Sequence, residues 1–117
     1  MGAKHFTELE AWQLAAQLSD KVVALSATAA LKADLEFRDQ MRNAAESAPR
    51  LIAEGFGRWS HRDFARYLVM ARSELMELQS DLLALGRRRT ITQELAAELY
   101  ELSEHTLKKF NALRASL

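Results

Sequence analysis

The sequence predicts an all-α protein, an up-down-up-down antiparallel four-helix bundle formed by a single domain over residues 1–117. The length suits one hydrophobic core, and a hydrophobic content of 49% is too high for a disordered chain. The four glycines and the one proline are confined to a few positions, which leaves four long segments uninterrupted. In each segment apolar residues recur every three or four positions, the period of a helical face.

The first helix is predicted to begin at about Thr7 or Glu8 and to end in the region of residues 27–30. One face carries Ala11, Leu14, Ala15, Leu18, Val22 and Leu25, and a second row adds Leu9, Trp12, Ala16 and Val23. Only Asp20 and Lys21 are charged between residues 11 and 31. Because this helix is apolar most of the way round, we expect it to pack against more than one neighbour.

The second helix is predicted over residues 34–54. Its inward face carries Phe37, Met41, Ala44, Ala45, Ala48 and Ile52, and the small residues permit another backbone to approach closely. Pro49 lies inside this pattern and cannot donate a backbone hydrogen bond, so we expect a kink rather than a break. Gly55 or Gly57 is expected to end the helix in a left-handed conformation.

The third helix is predicted to begin at Ser60, with Asp63 as the partner in a capping box. Its core face has the regular four-and-three spacing of a coiled-coil seam: Phe64, Leu68, Ala71, Leu75, Leu78, Leu82 and Leu85. Gly86 and the run Arg87, Arg88 and Arg89 end it, which places cations where the helix dipole favours them.

The fourth helix is predicted to begin after Thr92 as its cap. One face carries Ala96, Leu99, Ser103, Thr106, Phe110 and Leu113. Glutamates precede lysines and arginine along this helix, an order that suits the dipole. Because the connections between the four helices are short, sequential neighbours are expected to be antiparallel.

Composition excludes several classes of protein. Without cysteine the chain can form no disulfide, thiol nucleophile or thiolate metal site. The longest uncharged runs, residues 11–19 and 22–31, are shorter than the roughly 20 apolar residues that span a bilayer. No signal-peptide pattern opens the chain, so the sequence predicts a soluble cytoplasmic protein.

The sequence contains no recognisable set of catalytic residues. A di-iron or di-manganese bundle needs Glu-x-x-His pairs, and none accompanies His5, His61 or His105. None of these histidines lies in an apolar wall that would tune it as a base. The glycines around Phe56 have no following lysine in a P-loop frame. We therefore expect no catalytic, cofactor-binding or metal-binding residues and no small-molecule substrate.

Arginine suggests a different class of contact, with nucleic acid or a protein partner. Eleven of the 16 cations are arginine, which suits phosphate forks. The candidate contact residues are Arg58, Trp59, Arg62 and Arg66 at the start of the third helix and Arg87, Arg88 and Arg89 at its end. A solvated helix face and a C-terminal cap explain the same arginines structurally. The zero net charge, with acidic Glu74, Glu77 and Asp81 on that helix, weighs against a phosphate-binding surface.

Three further residues have alternative interpretations. Trp59 lies in a turn, where it either staples the corner or fills a pocket on a partner subunit. Glu54 and Glu77 resemble buried functional acids, but structural pairing is favoured, and Glu54 lies within reach of Arg58.

Several stretches carry a resemblance to a known family. They are residues 6–13 (FTELEAWQ), 42–49 (RNAAESAP) and 52–58 (IAEGFGR), followed by Ser60, Phe64, Arg66, Tyr67, Leu68, Ala71, Leu75 and Glu77. They resemble the four-helix bundle proteins encoded by intervening sequences of bacterial 23S ribosomal RNA genes, also labelled S23 ribosomal proteins. The chain departs from the family at Ala48, Leu51 and the pair Ser73 and Glu74, where isoleucine, asparagine and Gly-Ser are frequent.

The resemblance implies a ring-like homopentamer without established enzymatic activity. The broader family includes the accessory variability proteins of diversity-generating retroelements, basic pentameric barrels that bind a reverse transcriptase and RNA. Zero net charge argues against that branch. Our leading hypothesis is a non-catalytic homo-oligomeric scaffold or interaction protein. The alternative is a nucleic-acid-binding accessory protein for RNA or DNA that uses the arginine clusters.

Overall fold

The computed structural model describes residues 2–117, which fold into four long helices joined by short connections. The helices are α1 (Glu10–Ser26), α2 (Leu35–Phe56), α3 (His61–Arg87) and α4 (Gln93–Ala115). Two short 3-10 helices, Phe6–Glu8 and Ala29–Ala33, precede α1 and α2. Residues 2–117 contain no strand, so the prediction of an all-α protein with four helices is confirmed.

Side-chain caps define the starts of three helices. The side chains of Asp34, Ser60 and Thr92 each accept a hydrogen bond of 3.1 Å from the backbone N–H three residues later. Each bond satisfies one of the donors that a helix start leaves unpaired. The predicted starts of α2, α3 and α4 are therefore confirmed to within one residue.

The predicted start and end of α1 were wrong. Thr7 and Glu8 belong to a single 3-10 turn, because Leu9 is extended (φ −78°, ψ 126°) and separates that turn from α1. At the other end the helix stops at Ser26, one residue before the predicted region of residues 27–30. The hydroxyls of Ser26 and Thr28 donate to the carbonyls of Val23 and Leu25 at 2.7 Å, and such local bonds compete with helix continuation.

The left-handed residue that the sequence placed at Gly55 or Gly57 occurs elsewhere. Gly57 ends α2 in a right-handed conformation (φ −75°), and α2 runs through Pro49 without a break. The positive φ among the non-glycine residues described is at Arg89 (φ 58°), just after α3. There the N–H groups of Arg89 and Thr90 bond to the carbonyls of Gly86 and Leu85, the pattern of a Schellman motif.

Each helix packs against the next along the chain, and α4 also packs against α1. Ion pairs join the start of α1 to the end of α4 (Glu10 to Lys109, 3.2 Å) and the end of α1 to the start of α4 (Lys21 to Glu98, 4.0 Å). All seven residues of the α3 seam are buried, as predicted. The molecule is a rod of 45 × 23 × 19 Å, with α3 along its length.

Of the four glycines, Gly55 in α2 lies nearest to a neighbouring helix. A methyl group on its Cα would lie 2.7 Å from Cβ of Tyr67 and 2.9 Å from a ring carbon of Phe64, both on α3. No ordinary side chain tolerates such distances without a shift of one helix. Gly55 therefore provides space for α3 rather than a turn.

None of the helices in the part of the chain that the structure describes is long and apolar enough to span a membrane.

Candidate functional site

Tyr67 organises the arginines at the start of α3. The guanidinium of Arg58 lies 4.8 Å from the centre of the Tyr67 ring and donates a hydrogen bond to the Tyr67 hydroxyl. The guanidinium of Arg66 lies 5.3 Å from the same ring. Both are within cation–π range, so one largely buried tyrosine holds two cations at the surface. Arg58 and Arg66 are therefore positioned groups rather than unrestrained side chains.

A shallow groove between α3 and α4 adds two more arginines, Arg62 and Arg114. It is lined by Arg62, Arg66 and Val69 of α3 and by Arg114 of α4, and it has a volume of about 500 Å³. Asp63 forms an ion pair of 3.4 Å with Arg66, which leaves the groove with net positive charge. Sequence reasoning missed Arg114, because only the packing of α4 on α3 brings residue 114 beside residues 62–69.

Trp59 projects into solvent from the turn between α2 and α3. Its exposed fraction is 104%, as large as that of an isolated side chain. The interpretation that it staples this corner is therefore wrong, since a staple would bury the ring against the bundle. The alternative, that it fills a pocket on a partner subunit, stays a prediction.

The predicted pair between Glu54 and Arg58 does not form. Glu54 is exposed, and Arg58 turns to Tyr67 instead. A tyrosine one helix away offers both a ring face and a hydroxyl, whereas pairing with an exposed glutamate gains little in water.

The three arginines at the end of α3 have separate roles in the structure. Arg88 lies 5.1 Å from the ring of Phe37 in α2, and Arg89 occupies the left-handed position. Arg87 is exposed in the last turn of the helix. At about 1.5 Å per residue, Arg62 and Arg87 are roughly 38 Å apart along α3. The two arginine clusters therefore lie at opposite ends of the rod and form no joint site within one chain.

Between the two clusters, α2 and α3 form an acidic groove of about 530 Å³. The carboxylates come from α3, where the spacing of three and four residues places them on one face. The lining residues are Gln40, Asn43, Ala44 and Ser47 of α2 and Glu74, Glu77, Ser80 and Asp81 of α3. Sequence reasoning noted the carboxylates as a stripe, but the uncharged wall that α2 supplies is a tertiary feature.

The carboxylates of the acidic groove repel one another. Burial, the charge of Glu77 and a hydrogen bond with Glu77 raise the pKa of Glu74 above its ordinary value. Burial and the charge of Glu77 also raise the pKa of Asp81, and Arg88 partly offsets this. Within residues 2–117 none of these three carboxylates forms an ion pair. The groove therefore holds negative charge that its own chain neutralises only in part, through Arg88 near Asp81.

This repulsion predicts a pH dependence of stability in the single chain. Because the pKa of Glu74 is raised in the folded state, the penalty is present at pH 7 and disappears as the pH falls through that pKa. Glu74→Gln should therefore stabilise the single chain by about 0.2–0.5 kcal/mol at pH 7 and by less near pH 4, the size of a like-charge pair on a helix. Urea unfolding at the two pH values, at a protein concentration low enough that only single chains sediment, measures the difference. Glu101→Gln, which removes an exposed carboxylate of α4, should give no such gain.

A row of exposed apolar side chains runs along α3 outside the core. Val69, Met76 and Leu83 are spaced by seven residues and are 46%, 39% and 51% exposed. Arg62 lies seven residues before Val69, and Arg87 lies four residues after Leu83, so arginines flank this apolar row at both ends. Sequence reasoning missed the row, although a second heptad register beside the predicted seam is a signal for it.

Across residues 2–117, no three histidine, aspartate or glutamate side chains converge as a metal-binding group. The surfaces that the structure offers are thus the arginine clusters, the acidic groove and the apolar row.

Comparison with known proteins gives one family. A family model described as 23S rRNA-intervening sequence protein matches residues 7–112 of the 117. None of the curated proteins compared with the chain matches it.

Proposed function

The chain belongs to the 23S rRNA-intervening sequence protein family, and from this premise we propose that it is a non-catalytic scaffold protein that assembles with copies of itself. The proposed protomer is an up-down-up-down antiparallel bundle in the cytoplasm. The proposed assembly is a ring, with the five copies that the resemblance implies.

Contacts between distant residues support the antiparallel topology. The two ion pairs between α1 and α4 join opposite ends of these helices, as antiparallel packing requires. Gly55 near the end of α2 meets Phe64 and Tyr67 near the start of α3. Gln79 in the middle of α3 meets Ser103 and Glu104 in the middle of α4.

The apolar row on α3 is the observation that carries the proposal of self-assembly. The core is complete without it, and the hydrophobic residues of the α3 seam are already buried. Burying the exposed parts of Val69, Met76 and Leu83 in a contact with another copy gives roughly 3 kcal/mol at about 1 kcal/mol for each half-exposed side chain. The long side of the rod, 45 Å by about 20 Å, also provides the ~800 Å² per partner that stable interfaces bury.

Leu83→Glu tests this proposal. A charge in the apolar row should convert the assembly into single chains of 13.2 kDa, because the new carboxylate must otherwise be buried in the interface. Leu35→Glu is the matched control, since Leu35 is 52% exposed on α2 and Leu83 is 51% exposed on α3. Sedimentation velocity at micromolar concentration and the helical circular dichroism signal measure assembly and folding.

The sedimentation results distinguish self-assembly through the apolar row from a protein that remains a single chain. Wild-type protein and the Leu35→Glu variant should sediment as assemblies, and Leu83→Glu as a folded single chain. A wild-type protein that sediments as a single chain at these concentrations contradicts the proposal.

A second candidate function is nucleic-acid binding by the arginine clusters, as an accessory protein for RNA or DNA or for a reverse transcriptase. The cation–π contacts of Arg58 and Arg66 with Tyr67 favour nucleic-acid binding, because guanidinium groups that are already positioned lose less conformational freedom when they bind phosphate. The acidic groove between the clusters weighs against it. In an assembled ring, clusters of different copies would have to converge to form a continuous cationic surface.

Arginine substitution tests the second candidate. Changing Arg58, Arg62 and Arg66 to glutamine should weaken binding of a single-stranded RNA and lower the slope of log K against log salt by roughly one per lost phosphate contact. Arg50→Gln, on exposed α2 surface, should change neither quantity by as much. Fluorescence anisotropy at low salt measures both, and an absence of binding by the wild-type protein excludes this candidate.

A further inference from the structure

Charge is segregated on the two flanks of α3 even though the chain is neutral overall. On the flank toward α2, the acidic groove carries Glu74, Glu77 and Asp81 and is lined by no cation. On the flank toward α4, Arg62, Arg66 and Arg114 surround Val69 at one end of the apolar row. The neutral chain thus carries two surfaces of opposite sign on the two flanks of α3.

This segregation limits how the apolar row can be buried between copies. If two rows packed on each other around a two-fold axis, the arginine-flanked faces of both copies would meet. Arg62 and Arg87 form no ion pair among the residues described, so their charges would remain uncompensated between the copies. Like charges brought together at an interface cost several kcal/mol. A symmetric row-to-row contact is therefore unfavourable.

The acidic groove carries negative charge that its own chain compensates only in part, so it favours contact with a positively charged surface. Its three carboxylates form no ion pair with cations of their own chain, and burial together with the charge of Glu77 raises the pKa values of Glu74 and Asp81, which Arg88 offsets only in part at Asp81. A neighbouring surface that brings guanidinium groups would relieve the repulsion between these carboxylates. Its wall on α2 consists of Gln40, Asn43, Ala44 and Ser47, which are small or amide side chains that leave room for arginine.

We infer that the acidic groove of one copy receives the arginines that surround Val69 on the next copy, Arg62, Arg66 and Arg114, so that the contact between copies is head-to-tail. This inference rests on the proposed self-assembly and specifies its interface. Each copy then presents one surface of each kind, and pairing can continue from copy to copy. A contact of this type closes into a ring when the rotation between neighbours allows it. It also explains how a neutral chain can have strongly charged surfaces, because each copy compensates the next.

Two charge-reversed variants test the inference in the full chain. Glu74→Lys with Glu77→Lys makes the acidic groove basic, and Arg62→Glu with Arg66→Glu makes the arginine-flanked face acidic. Each variant alone should lose tenfold or more in self-association, because its two surfaces then carry the same sign. An equimolar mixture should associate again, because each reversed surface finds its complement on the other variant. The two variants must alternate, so the mixture should form open assemblies larger than a single chain, since a ring of five would contain one contact between like charges. Sedimentation velocity of the separate variants and of the mixture measures this.

Glu54→Lys with Glu101→Lys is the matched control. It changes the net charge by the same amount at two exposed glutamates outside the acidic groove, so it should assemble like wild type. The helical circular dichroism signal of every variant confirms folding before assembly is compared.

The outcomes distinguish this inference from the proposal on which it rests. A wild-type protein that does not assemble overturns both. If wild type assembles and Leu83→Glu dissociates while Glu74→Lys with Glu77→Lys still assembles, self-assembly holds and the head-to-tail pairing is wrong. A mixture of the two charge-reversed variants that stays dissociated also overturns the pairing.

Discussion

Replacing Gln79 by glutamate is expected to destabilise the fold by about 3 kcal/mol at pH 7, the cost of an uncompensated buried charge. Gln79 is only 6% exposed, and its amide nitrogen donates to the hydroxyl of Ser103 at 3.0 Å and to the carboxylate of Glu104 at 2.6 Å. A carboxylate in its place cannot donate and faces the charge of Glu104. The contact between α3 and α4 would therefore be opposed by both a lost donor and a like charge.

The destabilisation should depend on pH. Burial and Glu104 raise the pKa of the introduced carboxyl above that of the unfolded chain, so the penalty is present at pH 7 and diminishes as the pH falls through the raised pKa. Urea unfolding at pH 7 and pH 4.5 measures this change. Gln79→Met is the control of similar volume, since it removes the donor without adding charge and should cost about 1 kcal/mol at both pH values. Equal stabilities of Gln79→Glu and wild type at pH 7 would contradict the assigned contact.

Gly55→Ala is expected to destabilise the fold by about 1–2 kcal/mol even though alanine favours helix. The gain in helix propensity is up to about 1 kcal/mol, whereas overpacking a tight contact costs about 1–3 kcal/mol. The added methyl group would lie 2.7 Å from Cβ of Tyr67, an atom that moves only with the backbone of α3. Relieving this contact requires α2 and α3 to separate, and the Arg58 contacts on Tyr67 should loosen with them.

Gly57→Ala is the matched control for this prediction. Its added methyl group would lie 3.5 Å and 3.7 Å from the carbonyl oxygens of Glu54 and Ala53, which are ordinary contacts, and its φ of −75° suits alanine. It should be neutral or stabilise by less than about 1 kcal/mol, because alanine reduces the entropy of the unfolded chain. Thermal unfolding of both variants compares them. A destabilisation at position 57 that equals the one at position 55 would show that close packing is not the cause.

The acidic groove and the apolar row connect the architecture to the proposed function. They lie on opposite flanks of α3, the helix whose other residues form much of the core. Since α3 is held by α2 on one side and by α4 on the other, both surfaces are rigidly positioned relative to each other. A fixed relation between two complementary surfaces is what a closed assembly requires, because it sets the rotation from one copy to the next.

The sequence by itself determined the helices of this protein. Caps such as Ser60 and Thr92 act within three residues, and the apolar period of α3 depends only on spacing along one helix. Such local signals need no knowledge of the neighbouring helices. The same reasoning failed at α1, where the extended Leu9 and the hydroxyl bonds of Ser26 shorten the helix at both ends.

Only the tertiary structure decided which surfaces these helices present. The space beside Gly55 exists because α3 crosses there, Arg58 turns to Tyr67 rather than to Glu54, and Arg114 joins the arginines of α3. Each of these contacts joins residues on different elements, up to 52 positions apart between Arg62 and Arg114. The spacing of residues along one helix carries no information on such distances, because they depend on how the helices pack. The candidate residues were therefore predictable as types of charge, but the acidic groove and the arginine-flanked apolar row were not predictable as surfaces.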